Sequence, residues 1–264
     1  ALAAGVNVFM YDWYWYRNRP FLEGALNDGF LKAPNNERMK FFLMWANHDV
    51  DNLWNNKIGK AEKEKINWSA DVSYDEFTKV LVPRFIEYFK KPNYYKIANK
   101  PVLAIFLMRN FVRGVGGPEK TKAALEFLES ECKKAGFDGL HFMAMNVPSK
   151  TPVPGRENPS LGEIAEYYGF DSMSAYNWGG SRKGGYAAWR DRNIPLWDKF
   201  KKDFGVFFPI VSTGWDNNPR FPQSDFTEIC EQKCPKEYEK TLRMAKAWAD
   251  KNIPAGNPKL IFVN

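Results

Sequence analysis

The sequence predicts an α/β protein with the architecture of a (β/α)8 TIM barrel. Apolar, strand-like runs alternate with helical stretches along the 264 residues, and polar side chains collect where the predicted strands end. Repeated strand–helix units imply a parallel sheet with right-handed crossovers. The competing architecture, an open doubly wound sheet, normally has a Gly-rich phosphate turn after an early strand. Here Asp12-Trp13-Tyr14 ends the first predicted strand, so the barrel is favoured.

Hydrophobic runs and helical periodicity define the individual elements. The predicted strands lie at residues 5–16, 39–45, 101–107, 139–146, 170–178, 206–213 and 259–264. The predicted helices lie at about 21–31, 74–91, 118–135, 164–168, 186–203 and 235–251. Seven strands are one short of a closed barrel. We therefore expect a single barrel domain over residues 1–264 that is incomplete, with its first strand before residue 1 and a further segment after the last strand.

The first predicted strand contains an acidic residue, Asp12, among several aromatic residues. Asp12 is followed by Trp13 and Tyr14, and more rings flank this segment. Aromatic faces cover the apolar C–H patches of a sugar, while a carboxylate accepts hydrogen bonds from its hydroxyls. Any single ring is explained as core packing. Consecutive strand residues point to opposite faces, however, so the whole set cannot share one core.

Composition narrows the range of partners. Aromatic residues make up 16% of the chain, and the net charge is +7. The lysines are scattered along helical stretches, which indicates solvated faces, and no basic stripe or module for nucleic acid is present. An acidic polysaccharide remains open as a partner. No apolar run reaches the length of a membrane span, and Cys230 and Cys234 without a nearby histidine do not predict a zinc site.

Acidic side chains near the predicted strand ends are the candidates for chemistry. Hydrolysis of a glycosidic bond usually needs two carboxyl groups that flank the bond. Asp12 and Asp216 have aromatic neighbours, which suits sugar binding, whereas Asp171 comes early in its strand, which favours a structural role. His48 and Asp49 are weak candidates for proton transfer, since each residue type is more often only a hydrogen-bonding group. The predicted strand ends carry no glutamate.

Four segments together resemble a known family. They are Tyr11-Asp12-Trp13-Tyr14-Trp15, Arg19-Pro20-Phe21-Leu22-Glu23, Phe42-Leu43-Met44-Trp45-Ala46-Asn47 and Gly214-Trp215-Asp216-Asn217-Asn218-Pro219-Arg220. In this order they are similar to the glycoside hydrolase family 99-like domains. That group includes the WbsX-like proteins of polysaccharide gene clusters, which are often labelled glycosyltransferases. The resemblance runs over nearly the whole chain, and its specific parts are the Trp-Ala-Asn and Gly-Trp-Asp-Asn-x-Pro-Arg segments.

This resemblance implies a (β/α)8 barrel and, among the hydrolases of the family, cleavage of α-mannosidic linkages within a glycan. It also implies that the catalytic glutamates belong to an Asn-Glu-Trp-x-Glu type motif after the last strand, which we expect beyond residue 264. The chain departs from many relatives at His48, where they have a glutamate after the asparagine. No cofactor is implied, because hydrolysis by carboxylates needs none.

The leading hypothesis is a carbohydrate-active barrel enzyme, a glycoside hydrolase that acts on a polysaccharide or oligosaccharide. The expected substrate-binding residues are Asp12, Trp13, Tyr14, Trp45, Asn47, His48, Asp49, Asn146, Tyr176, Trp178, Trp215, Asp216 and Arg220. Alternatives are a non-catalytic glycan-binding protein, a glycosyltransferase of polysaccharide biosynthesis on the same fold, or a protein-interaction role. A glycan-degrading hydrolase would favour a periplasmic, cell-surface or secreted location, which the sequence itself leaves open.

Overall fold

A computed structural model describes residues 1–52, 62, 65–214, 216 and 234–264. The chain divides into two compact units, which are described separately. The first comprises Ala1–Asp49 and Trp68–Asp171, and the second comprises Val50–Asn67 and Ser172–Asn264. The predicted α/β class with a parallel sheet is confirmed. No helix among the described residues is long and apolar enough to cross a membrane.

The first unit contains a largely parallel sheet. Its strands are β1 (Val8–Tyr16), β2 (Arg19–Phe21), β3 (Lys40–Trp45), β6 (Lys96–Ile97), β7 (Lys100–Ile105) and β8 (His141–Ala144); β4, β5 and β9 to β11 are given below. The order β2-β1-β3-β7-β8 has parallel pairing from β1 to β8, while β2 and β6 add antiparallel edges to β1 and β7. All four parallel strands therefore end at the same edge of the sheet, which we call the carboxyl edge.

Helices connect the parallel strands. In the first unit they are α1 (Tyr74–Glu76), α2 (Val82–Phe89), α3 (Met108–Val115), α4 (Pro118–Lys134) and α5 (Leu161–Tyr168). Between α1 and α2 the helix widens into a π-helical turn, Phe77–Leu81. Pro83 follows that turn and has no N–H to donate to the carbonyl one helical turn earlier, which accounts for the local shift in hydrogen bonding.

The sheet register decides which side chains share a face. Trp13 aligns with Trp45, and Asp12 aligns with Met44. Because aligned residues of parallel strands point the same way, Trp13 and Trp45 lie on one face and Asp12 on the other. The Trp13 ring packs against Phe85 of α2 at a centroid distance of 5.0 Å. The tryptophan face is therefore the face that the helices cover.

Strand β1 continues past its pairing with β3 and turns back as a hairpin. Arg17 and Asn18 connect β1 to β2, with φ angles of 52° and 58°. Two consecutive left-handed residues form the two-residue turn whose twist matches a β-hairpin. The indole of Trp15 donates to Glu76 Oε1 at 2.6 Å and that of Trp13 donates to Glu23 Oε1 at 2.6 Å. The first bond ties the hairpin stem to α1, and the second ties β1 to the turn after β2.

The second unit is also mixed α/β. Its strands are β4 (Val50–Asp51), β9 (Ser172–Met173), β10 (Ile210–Val211) and β11 (Phe262–Val263), and its helices are α6 (Gly185–Asn193), α7 (Pro195–Phe204) and α8 (Pro235–Asn252). Strand β5 (Ile66–Trp68), which pairs with β4, runs across the boundary of the two units. Strands β10 and β11 are parallel. The core of the second unit contains Trp178, whose indole donates to the Ile210 carbonyl at 2.8 Å.

Two predicted helices differ from the structure. The stretch predicted at 21–31 forms a π-helical turn, Ala25–Gly29, and a 3-10 turn, Phe30–Lys32, in place of a regular helix. Gly24 and Gly29 within this stretch lower the stability of a regular helix. The helix predicted at 186–203 is two helices, α6 and α7, because Pro195 has no N–H and begins a new helix at its first position.

Candidate functional site

The carboxyl edge of the first unit brings side chains from three strand ends together. Tyr14 belongs to the end of β1, His48 follows β3, and Phe106 follows β7. The His48 ring lies edge-on to Tyr14 at a centroid distance of 5.8 Å and to Phe106 at 6.1 Å. Asp12 shares the face of Tyr14, whose hydroxyl reaches the Asp12 carboxylate at 3.5 Å, a long contact. We call Asp12, Tyr14 and His48 the edge cluster.

The orientation of the His48 ring fixes which nitrogen carries a proton. Its Nδ1 lies 3.0 Å from the Asp49 carbonyl oxygen. Since a carbonyl only accepts, Nδ1 is the donor, and in the neutral ring the lone pair is on Nε2. Among the described residues, none forms a hydrogen bond with Nε2. His48 therefore presents a hydrogen-bond acceptor at the carboxyl edge.

A neighbouring tyrosine holds the His48 backbone. The Tyr16 hydroxyl donates to the His48 carbonyl at 2.8 Å. The ring of Tyr16 is only 4% exposed, and burial raises the pKa of its phenol, with Tyr14 and Asp49 adding to the effect. The phenol is thus a fixed donor that ties β1 to the segment after β3.

Asp49 is held by an ion-pair network. Its carboxylate accepts from one nitrogen of Arg113 at 2.8 and 2.9 Å and from the Ala70 backbone N–H at 2.8 Å. The Nε of Arg113 donates in turn to Asp71 at 2.7 Å. These contacts connect the segment after β3 to α3, and Asp49 forms that connection.

Asn47 is likewise occupied by backbone groups. It is 1% exposed, and its side-chain amide both donates to the Leu107 carbonyl and accepts from the Leu107 N–H, each at 2.8 Å. Asn110 of α3 donates to the Asn47 carbonyl at 2.9 Å. Asn47 therefore joins the segments that follow β3 and β7, and its side-chain oxygen accepts from the Leu107 N–H.

Trp13 and Trp45 lie on the helix-covered face, away from the edge cluster. Each is 2% exposed. Trp45 packs against Phe77 at 5.9 Å and Phe111 at 5.1 Å between ring centroids. The structure does not bring these two rings together with Asp12 and Tyr14, because neighbouring strand residues alternate between faces.

The remaining sequence-predicted site residues fall elsewhere. Asn146 follows β8 at the carboxyl edge, half-buried, and its Oδ1 accepts from the Val147 N–H at 2.9 Å. In the second unit, Tyr176 is half-buried, Trp178 is buried in the core and Asp216 is exposed. Trp215 and Arg220 lie outside the described residues.

Three aromatic residues at the carboxyl edge were not predicted as site residues. Phe106 contacts His48, and Phe21 and Trp68 contact each other with ring centroids 5.4 Å apart. The position of Phe106 near the end of the predicted strand 101–107 was an available signal. Phe21 and Trp68 meet only through tertiary structure. No group of His, Cys, Asp or Glu side chains within the described ranges is arranged to hold a metal ion.

A family model described as Glycosyltransferase WbsX matches residues 1–264, the whole chain. The chain belongs to the glycosyltransferase WbsX family. The resemblance drawn from the four sequence segments is thereby confirmed, and the chain is a member of a carbohydrate-active family. No curated protein matches the sequence.

Two solved structures are similar to this chain. A glycoside hydrolase-like protein is 13% identical, with 100% of this chain and 72% of that chain covered and a TM-score of 0.60. The GH99 endo-α-mannosidase from Bacteroides thetaiotaomicron, in complex with bis-tris propane, is 13% identical, with 98% and 82% covered and a TM-score of 0.48. At this identity the first likeness shows a common fold and does not extend to substrate.

Proposed function

We propose that this WbsX-family chain is a carbohydrate-active enzyme domain that binds a glycan at the carboxyl edge of its sheet and acts on a glycosidic bond, as a glycoside hydrolase. The proposal includes closure of the fold into a (β/α)8 barrel, in which active sites lie at the carboxyl ends of the strands. Family membership and the shared fold with a glycoside hydrolase-like protein support it. The observation that carries it is the edge cluster.

The edge cluster offers two kinds of contact that a sugar uses, an aromatic face and hydrogen-bond acceptors. The half-buried Tyr14 ring provides an apolar face for the C–H side of a pyranose. The Asp12 carboxylate accepts hydrogen bonds from ring hydroxyls, and Nε2 of His48 accepts a further one. An aromatic face with a few directed polar groups is the usual make-up of a site for a small polar ligand.

The ion-pair network bears on the catalytic role of Asp49. A general acid or base must be within hydrogen-bond reach of the substrate and able to exchange a proton. Both oxygens of Asp49 are engaged with Arg113, and one of them also accepts from the Ala70 N–H. We therefore assign Asp49 to structure and leave His48 as the group of the edge cluster best suited to proton transfer.

Binding of α-linked manno-oligosaccharides tests the site by calorimetry. We expect Asp12→Asn, Tyr14→Ala and His48→Ala each to weaken binding about tenfold, as loss of a good hydrogen bond or stacking contact does. Asp75→Asn and Tyr167→Ala, on helices of the same unit, are matched controls. If the three edge variants bind like wild type while the wild type binds, the edge cluster is not the site.

The family description favours a second candidate, a glycosyltransferase. Such an enzyme needs a nucleotide-sugar site, usually with acidic ligands for a divalent metal. The sequence contains one Asp-x-Asp, Asp49-Val50-Asp51, but Asp49 is held by Arg113. Binding of UDP- or GDP-sugars with Mn²⁺, lost in Asp51→Asn, would favour the transferase over the hydrolase.

A further inference from the structure

A groove between α4 and α5 lies apart from the edge cluster. It has a volume of about 480 Å³, which is within the usual size range of sites for small molecules. Residues of α4, of the last turn of α5 and of the start of β8 line most of it, and every lining residue belongs to the first unit. Because Leu140 and Phe142 lie at the amino end of β8, the groove is at the opposite end of that strand from the carboxyl edge. We call it the α4–α5 groove.

The floor of the α4–α5 groove is apolar. Leu125, Leu140 and Phe142 line it and are 9%, 4% and 4% exposed. Tyr167 also lines the groove, but the Lys122 ammonium lies over its ring, 5.1 Å from the centroid. The ring of Tyr167 is therefore already covered by a cation. The apolar surface that remains for a ligand is the floor, and aliphatic side chains with a ring edge suit a methylene chain.

Carboxylates surround this apolar floor. Glu126 of α4 and Glu166 of α5 are exposed, and Asp171 is half-buried. Within the described ranges, none of these three acids forms an ion pair. Glu129 lines the same groove but pairs with Lys133 at 2.9 Å. The charges available to a ligand are therefore those of Glu126, Glu166 and Asp171.

The end of α5 adds to the negative potential of the groove. A helix C-terminus carries a partial negative charge that basic residues usually compensate. The last turn of α5 contains Glu166 and no basic residue. The Asp171 carboxylate accepts from the Phe142 N–H at 2.8 Å, which fixes it beside the floor. Burial raises the pKa of this carboxyl group, and a bound cation would favour its ionised form.

The arrangement of these groups favours an extended organic cation. The groove follows α4 from Lys122 to Lys133, three turns of helix, or roughly 16 Å at about 1.5 Å per residue. In the part of the chain that the structure describes, no acids are grouped to hold a metal ion. A ligand whose ammonium groups are joined by methylene chains can place its charges at separate carboxylates and its methylenes on the apolar floor.

We propose that the α4–α5 groove is a binding site for a linear aliphatic polyamine, with the methylene chain on the apolar floor and the ammonium groups at Glu126, Glu166 and Asp171. The site is separate from the proposed glycan site and does not depend on it. The cavity, its apolar floor and the charge complementarity of its carboxylates carry the inference together. A metal ion would leave the apolar floor unused, and a neutral sugar would leave the charges unpaired.

Calorimetry with the 264-residue chain tests the groove with defined probes. Spermidine is compared with Mg²⁺ at equal ionic strength, and α,ω-diaminooctane is compared with α,ω-octanediol, which has the same chain and no charge. We expect spermidine to bind about tenfold more tightly than Mg²⁺, and the diamine to bind about tenfold more tightly than the diol. Salt should weaken the binding of both amines, because Glu126 and Glu166 are exposed.

The double variant Glu126→Gln/Glu166→Gln should weaken spermidine binding about tenfold, since two exposed ion pairs are lost. Both side chains are exposed, so the substitutions should leave the fold intact. The matched control, Glu37→Gln/Glu87→Gln, removes the same charge from exposed positions of the same unit and should bind spermidine like wild type.

Three results would overturn the polyamine site: spermidine that binds no better than Mg²⁺, equal affinity for the diamine and the diol, or unchanged spermidine binding in Glu126→Gln/Glu166→Gln. Binding of tetralysine without binding of spermidine would overturn it in favour of a basic peptide. Loss of spermidine binding in Asp12→Asn would place the amine at the edge cluster and would also overturn it. Spermidine binding that survives Asp12→Asn supports the groove, whatever the result with manno-oligosaccharides.

Discussion

The carboxylate of Asp49 accepts two hydrogen bonds from a single nitrogen of Arg113, 64 residues further along the chain. The pair joins the segment after β3 to α3, and Asp71 extends it through the Arg113 Nε. The side chain of Asp49 is 17% exposed and that of Arg113 is 45% exposed. A half-exposed guanidinium is partly screened by water, which moderates the strength of the pair.

Asp49→Asn is expected to lower the free energy of unfolding by about 1–2 kcal/mol, because a charged hydrogen-bonded pair is broken at a partly buried site. Arg113→Gln should have a similar effect, and the double variant should cost less than the sum of the two. Urea denaturation measures all three. Additive effects on the free energy of unfolding would show that the two residues act independently. Unchanged stability of Asp49→Asn with loss of glycan binding would show that Asp49 is a binding residue.

Trp45→Ala is expected to destabilise the protein by about 3–5 kcal/mol, since it removes a fully buried ring from contact with Phe77 and Phe111. Phe21→Ala is the control, because Phe21 is partly exposed, and its cost should stay below about 1 kcal/mol. Thermal and urea unfolding report both. A Trp45→Ala variant of normal stability with weakened sugar binding would contradict the structural role.

Asn47→Ala is expected to cost about 2–3 kcal/mol, because it leaves the Leu107 N–H and C=O without their side-chain partner in a buried position. Asn146→Ala removes only the short-range bond to Val147 and should cost less than about 1 kcal/mol. Comparable losses in the two variants would show that the connection between the ends of β3 and β7 adds no stability.

His141 is expected to make stability depend on pH. It lies buried in β8, and burial, with a smaller contribution from Lys100, lowers the pKa of its imidazole from 6.5 to about 4. Below pH 6.5 the unfolded chain therefore takes up a proton that the folded protein takes up only near pH 4. The free energy of unfolding should fall by about 3 kcal/mol over this window.

Denaturant unfolding between pH 7 and pH 4 measures the effect, and His141→Gln should remove it. Asp171 works in the opposite direction, since burial raises the pKa of its carboxyl group and favours the protonated form in the folded state. The comparison of wild type with His141→Gln isolates the imidazole. An identical pH dependence in both would contradict the assignment.

Sequence periodicity predicted most of the long elements. The helices expected at 74–91, 118–135 and 235–251 correspond to α1–α2, α4 and α8 with ends shifted by one or two residues. Apolar spacing and proline at helix starts carry that information locally. Several strands are shorter than predicted. The predicted strand 139–146 corresponds to β8 and the predicted strand 206–213 to β10, because apolar residues extend beyond the residues that pair in the sheet.

The candidate site was predicted less completely. Alternation along β1 put Asp12 and Trp13 on opposite faces from the start, but the sequence did not say which face the helices would cover. Contact of Trp13 with Phe85 decided that. Asn47 forms hydrogen bonds with Leu107, and Asp49 pairs with Arg113; both partners lie 60 or more residues away in the sequence. No local sequence pattern could predict these contacts.

The sequence by itself determined the α/β class, the family and the presence of polar and aromatic residues at strand ends. Each of these follows from hydrophobic periodicity or from contiguous motifs. Tertiary structure decided which of those residues remain available. Asn47, Asp49, Trp13 and Trp45 are taken up by backbone, arginine and aromatic partners, while Tyr14 and His48 meet at the carboxyl edge. The reason is physical: a side chain's role depends on which distant groups satisfy its hydrogen bonds or cover its surface, and only packing brings those groups together.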